Sequence, residues 1–271
     1  MNGTNIIPTL SASPHMGMHF PGALLRGAVW SVVGMVAARM FFPGDAALIS
    51  LVLVALGQAG YVQALLDRNR DEVYGGAMSP RRANLRMARE LFGLFIGVFV
   101  AYCAAVSFLS LAKVSAVYGD FLGEFRGTRL RDVDFGTFGV LMQRNAVVLF
   151  ASFLLSTLYQ HGGILLVLAW NAARWGVVLG FLTRTEAAHG GIEAALTVAI
   201  VLPHLIFEAL SYVLAAMSGA FLGRGLLRHR IGSPIFDRVG LAVLGVLFVS
   251  GMALVVASFF ESRLNGLLGG G

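Results

Sequence analysis

Residues 191–224 read GIEAALTVAIVLPHLIFEALSYVLAAMSGAFLGR, a stretch with only three charged side chains, Glu193, Glu208 and Arg224. A helix needs roughly 20 apolar residues to cross roughly 30 Å of hydrocarbon. This stretch is longer than that and carries Pro203, His204 and Glu208 at its centre. A second long block, residues 145–182, reads NAVVLFASFLLSTLYQHGGILLVLAWNAARWGVVLGFL, with Tyr159-Gln160-His161 and Asn171 inside it. Neither block reads as one plain span. Lipid offers no water to satisfy such polar groups, so they are expected to face protein, and function is sought there first.

Outward from these blocks the chain alternates apolar runs with short charged segments. Residues 1–22 contain no Lys or Arg and three prolines, so they lack the basic start of a cleavable signal and read as a tail. An N-terminal helix pair is expected at 23–66, as spans 23–42 and 46–66. Arg26 and Arg39, near the two ends of the first, are read either as snorkelling to opposite interfaces or as buried charges lining a pathway, and Pro43-Gly44-Asp45 turns the chain. Residues 67–90 hold six arginines and read as a cytoplasmic basic loop leading to a helix start at Ser79-Pro80. A third span is expected at 91–117. Residues 118–144 balance acids against arginines and interleave Phe121, Phe125, Phe135 and Phe138, the pattern of a helix lying in the membrane interface on the outer side. Residues 224–238 carry four arginines against Asp237 and read as cytoplasmic again. The last span is 239–260, and the Gly-rich end falls outside.

The class is therefore all-α, a polytopic transmembrane bundle of about seven crossings (six to eight), with broken or kinked helices in 145–182 and 191–224. An odd number of crossings joins the outer segment to the second basic one: two in the first block and one kinked crossing in the second. Hydrophobic residues make up 57% of the chain and charged residues 13%, about half the charge of a soluble domain, so no soluble domain is expected. The net charge of +6 collects in the two basic segments, where topology explains it without nucleic acid. Cys103 is the single cysteine and sits in apolar sequence, so no disulfide or cysteine metal cluster is expected.

The candidate polar site comprises His204 and Glu208, four apart and so on one helical face, with Pro203 before them and Asn171, Arg174 and His161 from the first block. It is read either as an intramembrane acid/base pair or as a hydrogen-bond cluster supporting an interrupted helix. Arg174 either pairs with Glu208 or belongs, with Trp170 and Trp175, to an interfacial belt. Two ligands are too few for zinc, so no metal or cofactor is expected. Gly93-x-x-x-Gly97, Gly176-x-x-x-Gly180 and Gly219-x-x-x-Gly223 are read as close-packing points for helices. Both long blocks run His, fourteen residues, Gly-x-x-x-Gly, a weak sign of an internal repeat.

The string Pro203-His204-Leu-Ile-Phe-Glu208, followed by Ala215-Ala216-Met-Ser-Gly219-Ala-Phe-Leu-Gly223, resembles the stage II sporulation protein M family. Leu205 stands where that family usually has glycine. Asn145, Asn171 with Gly176-x-x-x-Gly180, and Phe42-Pro43-Gly-Asp-Ala-Ala-Leu-Ile-Ser50 are similar to its earlier blocks and to its longer archaeal-type members, so the likeness covers most of residues 40–226. It implies a core membrane domain over 91–226, followed by a last span and tail over 227–271. It also implies a protein without established enzyme activity, a scaffold beside peptidoglycan hydrolases or a companion of export machinery. The expected function is a non-catalytic scaffold or partner subunit of an envelope or transport complex. The alternatives are a transporter or channel with a polar midplane site, and an intramembrane hydrolase. The expected surroundings are the lipid bilayer of the plasma or inner membrane and other membrane or envelope proteins. The sequence fixes no oligomeric state.

Overall fold

The computed structural model describes residues 20–125 and 137–268. The tail before residue 20 and most charges of the expected interfacial segment, residues 126–136, lie outside the described residues. The helices are α1 (Phe20–Phe41), α2 (Ala46–Tyr74), α3 (Pro80–Phe108), α4 (Leu111–Leu122), α5 (Phe138–Tyr159), α6 (His161–Ala187), α7 (Gly191–Arg228) and α8 (Pro234–Leu268). All but α4 are long and apolar enough to cross a membrane, which gives the expected seven.

The two long blocks resolve differently. The first divides at Gln160, which adopts φ 51° and ψ −118° and is the sole residue between α5 and α6. Gly163 makes this reversal possible, because a side chain there would strike the backbone of Leu155 and Ser156. The second block stays one helix. α7 runs unbroken through Pro203, whose ring removes an N–H and leaves the Ala199 carbonyl without its usual donor.

Two boundaries differ from the sequence reading. Residues 67–90 are largely helical: α2 continues to Tyr74, α3 begins at Pro80, and only residues 75–79 turn. Charge ends a hydrophobic span without ending a helix. Here the charges pair across the two extensions, Arg68 with Glu90 and Arg86 with Glu72, while Asn69 donates to Asn84 at 3.1 Å. Pro80 at the first turn of α3 needs no N–H partner. The third span stops at Phe108 rather than continuing to 117. Ser110 interrupts it and accepts from the Lys113 N–H to start α4. α4 folds back on the bundle, burying Val114, Tyr118, Phe121 and Leu122, so its apolar residues serve the core and not a span.

Antiparallel neighbours and close parallel pairs build the bundle. A side chain on Gly93 would meet Phe20 and Ala23, and one on Gly97 would meet Leu24 and Ala28, so α3 lies along α1 in the same direction. Gly176 and Gly180 sit in the same way on Phe99, Cys103 and Val106 of α3, and Gly219 and Gly223 on Phe153 and Thr157 of α5. Each expected glycine pair is thus a helix contact, and each partner helix is parallel. The two blocks bearing the weak repeat seat their glycines on different partners, and His161 begins a helix whereas His204 lies inside one.

Serines join α8 to α7: Ser250 Oγ donates to the Ser211 carbonyl at 2.8 Å and Ser218 Oγ to the Val243 carbonyl at 2.9 Å. Arg224 of α7 pairs with Asp67 of α2 at 2.8 Å, placing both arginine-rich segments at one end of the bundle. The connection from α3 through α4 to α5 lies at the other end. There Arg184 donates to the carbonyls of Val106 and Leu109 and satisfies the C-terminus of α3.

Candidate functional site

Glu208 and His204 are both buried and face α6, as their four-residue spacing requires. The residue that meets them is Trp175. Its indole N–H donates to Glu208 Oε1 at 3.3 Å, and its ring meets the His204 imidazole edge-on, with centroids 5.8 Å apart. Tyr212, one turn beyond Glu208, has a buried hydroxyl without a hydrogen-bond partner. A second carboxylate, Glu261 of α8, lies near enough to act on Glu208 and accepts from Asn145 Nδ2 of α5 at 3.3 Å. Four spanning helices therefore supply one polar cluster.

The site has a roof. Phe125, just after α4, packs edge-on against Trp175 at 6.3 Å, and Phe121 packs against Trp170 at 5.6 Å. Two aromatic residues of the expected interfacial segment, Phe121 and Phe125, thus pack on the tryptophans beside the polar cluster. Both ring nitrogens of His204 are buried without a hydrogen-bond partner, which is costly in an apolar interior.

The other expected site residues fall less centrally. Asn171 turns back on its own helix, donating to the Val167 carbonyl at 2.8 Å. Arg174 stacks over the Trp175 ring at 5.8 Å and acts on Glu208 through its charge. No ion pair joins Arg174 to Glu208 among the described residues. Pro203 sits in α7 beside His204. His161 opens α6 at the reversal after Gln160, fourteen helical residues from Trp175 and so roughly 20 Å along the axis. It is not part of the cluster. Among the described residues no group of three or more His, Cys, Asp or Glu side chains is arranged to hold a metal.

Sequence reasoning missed Trp175, Glu261 and Asn145 as members. It also missed a second polar cluster at the opposite end, where buried Glu90 accepts from the Tyr61 hydroxyl at 2.7 Å and pairs with Arg68. Above it Arg26 lies over the Tyr61 ring at 5.0 Å and donates to the Gly57 carbonyl at 3.3 Å, so it does more than snorkel. Glu90 carried a signal, since it closes the charged segment one residue before an apolar run.

Seven helices long and apolar enough to cross a membrane define a polytopic helical membrane protein. The chain belongs to the stage II sporulation protein M family, whose model matches residues 88–264. The match takes in most of α3 and continues into α8. It leaves α1 and α2 outside, whereas the resemblance in sequence covers most of residues 40–226. Comparison with curated proteins and with solved structures gave no match.

Proposed function

We propose that the protein is a non-catalytic scaffold or partner subunit of a cell-envelope or transport complex in the plasma membrane. One observation carries this reading: the polar side chains at the centre of the family-matched region, His204 and Glu208, are buried inside the bundle. Glu208 is held by Trp175, and Phe125 covers Trp175 from outside. A group enclosed in this way orders four helices without touching a substrate. The outward faces of the peripheral helices are apolar, with Val147, Phe150, Leu154 and Leu158 exposed along α5, surface suited to lipid and to membrane partners. Purification in mild detergent after crosslinking in cells tests the reading. Envelope proteins are expected to co-purify with the chain and to stay with a folded His204→Asn variant. A chain that purifies alone under both conditions overturns it.

The second reading, a transporter with a buried polar site, is favoured by the two unpartnered nitrogens of His204 and by the buried, unpartnered amide of Gln58. It requires solute or proton flux in proteoliposomes that His204→Asn abolishes.

A further inference from the structure

Between α2, α3, α7 and α8, at the end where Asp67 meets Arg224, lies a cavity of about 620 Å³. Its lining includes four arginines, Arg70, Arg224, Arg228 and Arg238, with His229 beside Tyr74 at 6.1 Å between ring centroids. The carboxylates facing them are few. Asp67 pairs with Arg224 at 2.8 Å and with Arg70 at 3.4 Å, and Asp71 takes Arg70 at 2.6 Å. Arg228 and Arg238 have no anionic partner among the described residues, and Arg70 and Arg228 repel the charge of Arg224. The Nε of Arg224 is buried without a hydrogen bond. Arginines gathered around one cavity call for an anion with more than one acceptor oxygen, as a phosphate offers.

The rest of the lining is mostly apolar, with Leu66, Val73, Phe221, Val239 and Leu241, and its two amides, Asn69 and Asn84, bond each other at 3.1 Å. Leu241 is 71% exposed on the outer face of α8, so the cavity has an apolar flank where lipid would run. A free phosphate has no use for that flank, whereas a phospholipid matches both chemistries at once. Basic pockets between membrane helices on the cytoplasmic side take such headgroups.

We infer that this cavity binds the phosphate of an anionic phospholipid, held by Arg224, Arg228 and Arg238, with the acyl chains leaving along Leu241. Thermal unfolding of the delipidated protein in neutral detergent, together with native mass spectrometry, tests this. Phosphatidylglycerol should raise the midpoint and be retained as one molecule per chain, while phosphatidylcholine with the same chains should do neither. Arg228 and Arg238 are exposed, so the Arg228→Gln, Arg238→Gln double variant should fold like wild type and bind phosphatidylglycerol at least tenfold more weakly. Arg81→Gln with Arg82→Gln removes the same charge from exposed positions of the same end outside the cavity and should bind as wild type does. An equal loss in both double variants would reduce the effect to general surface charge and end the proposal. An equal shift with inorganic phosphate alone would assign the site to a soluble phosphate and overturn the lipid reading.

Discussion

Trp175 and Glu208 join α6 to α7 through one 3.3 Å hydrogen bond inside the bundle, and the same indole holds His204 edge-on. The bond links residues 33 positions apart and is roofed by Phe125, so little water competes for it. Trp175→Phe keeps most of the ring and removes the donor. Hydrogen bonds to charged groups contribute about 1.5–3 kcal/mol and neutral ones about 1. Trp175→Phe is therefore expected to destabilise the protein by about 1–3 kcal/mol. In a double-mutant cycle with Glu208→Leu, which removes the acceptor, the double variant should lose less than the sum of the two single losses. Thermal unfolding in one detergent checks this, and strict additivity would separate the two residues.

Gly219 and Gly223 press against the backbone of Phe153 and Thr157, leaving no room for a β-carbon. Gly219→Leu should cost several kcal/mol or prevent assembly, as overpacking of tight contacts commonly costs about 1–3 even where the neighbours can adjust. Gly245 of α8 faces open space, and Gly245→Leu should leave the unfolding midpoint unchanged. Similar midpoints for the two variants would remove close packing as the role of the pair.

The Asp67–Arg224 pair ties α2 to α7 across 157 residues of sequence. Arg224 is largely buried and Asp67 about one third exposed, so the pair is screened only in part. Asp67→Asn should destabilise by on the order of 1 kcal/mol. The charge-exchanged variant Asp67→Arg with Arg224→Asp should recover part of what either single exchange loses. Equal stability of the exchanged and singly changed proteins in thermal unfolding would leave the two ends unlinked.

The topology follows from the same pair. Single cysteines at Gly76 and Gly232, on a Cys103→Ala background, are expected to be shielded from an impermeant reagent in intact cells. One at Gly44 is expected to react. The arginines gathered around the first two positions set this orientation. Labelling of Gly76 from outside would invert the protein in the membrane.

Much of the fold was legible because lipid imposes one rule, long apolar runs with internally satisfied backbones. The seven spans, the division of residues 145–182 and the three glycine contacts follow from it. Helix ends were less legible. Arg68 and Arg86 mark where hydrocarbon ends, yet both are good helix formers, so α2 and α3 continue past the boundary. Leu109 and Ser110 break a helix in sequence that stays apolar on both sides, so hydropathy passes over the turn. The pairing of His204 with Glu208 on one face could be read from spacing. Their partner could not, because Trp175 resembles its neighbour Trp170, which is half exposed and suits an interfacial belt. Glu261 and Asn145 reach the site from 53 and 63 residues away, distances that no local pattern encodes.

The three glycine pairs have a consequence for biosynthesis. Each seats its helix on one that left the ribosome earlier, and none on the helix emerging just before it: α3 on α1, α6 on α3, α7 on α5. The contacts of these three pairs therefore form only after a later helix has arrived, whereas Gly57 against Trp30 and Gly163 against Leu155 already close the α1–α2 and α5–α6 hairpins. The glycine contacts are complete with α7, and α8, the last piece to arrive, locks on through its serines and brings Glu261 to Asn145 in the polar cluster.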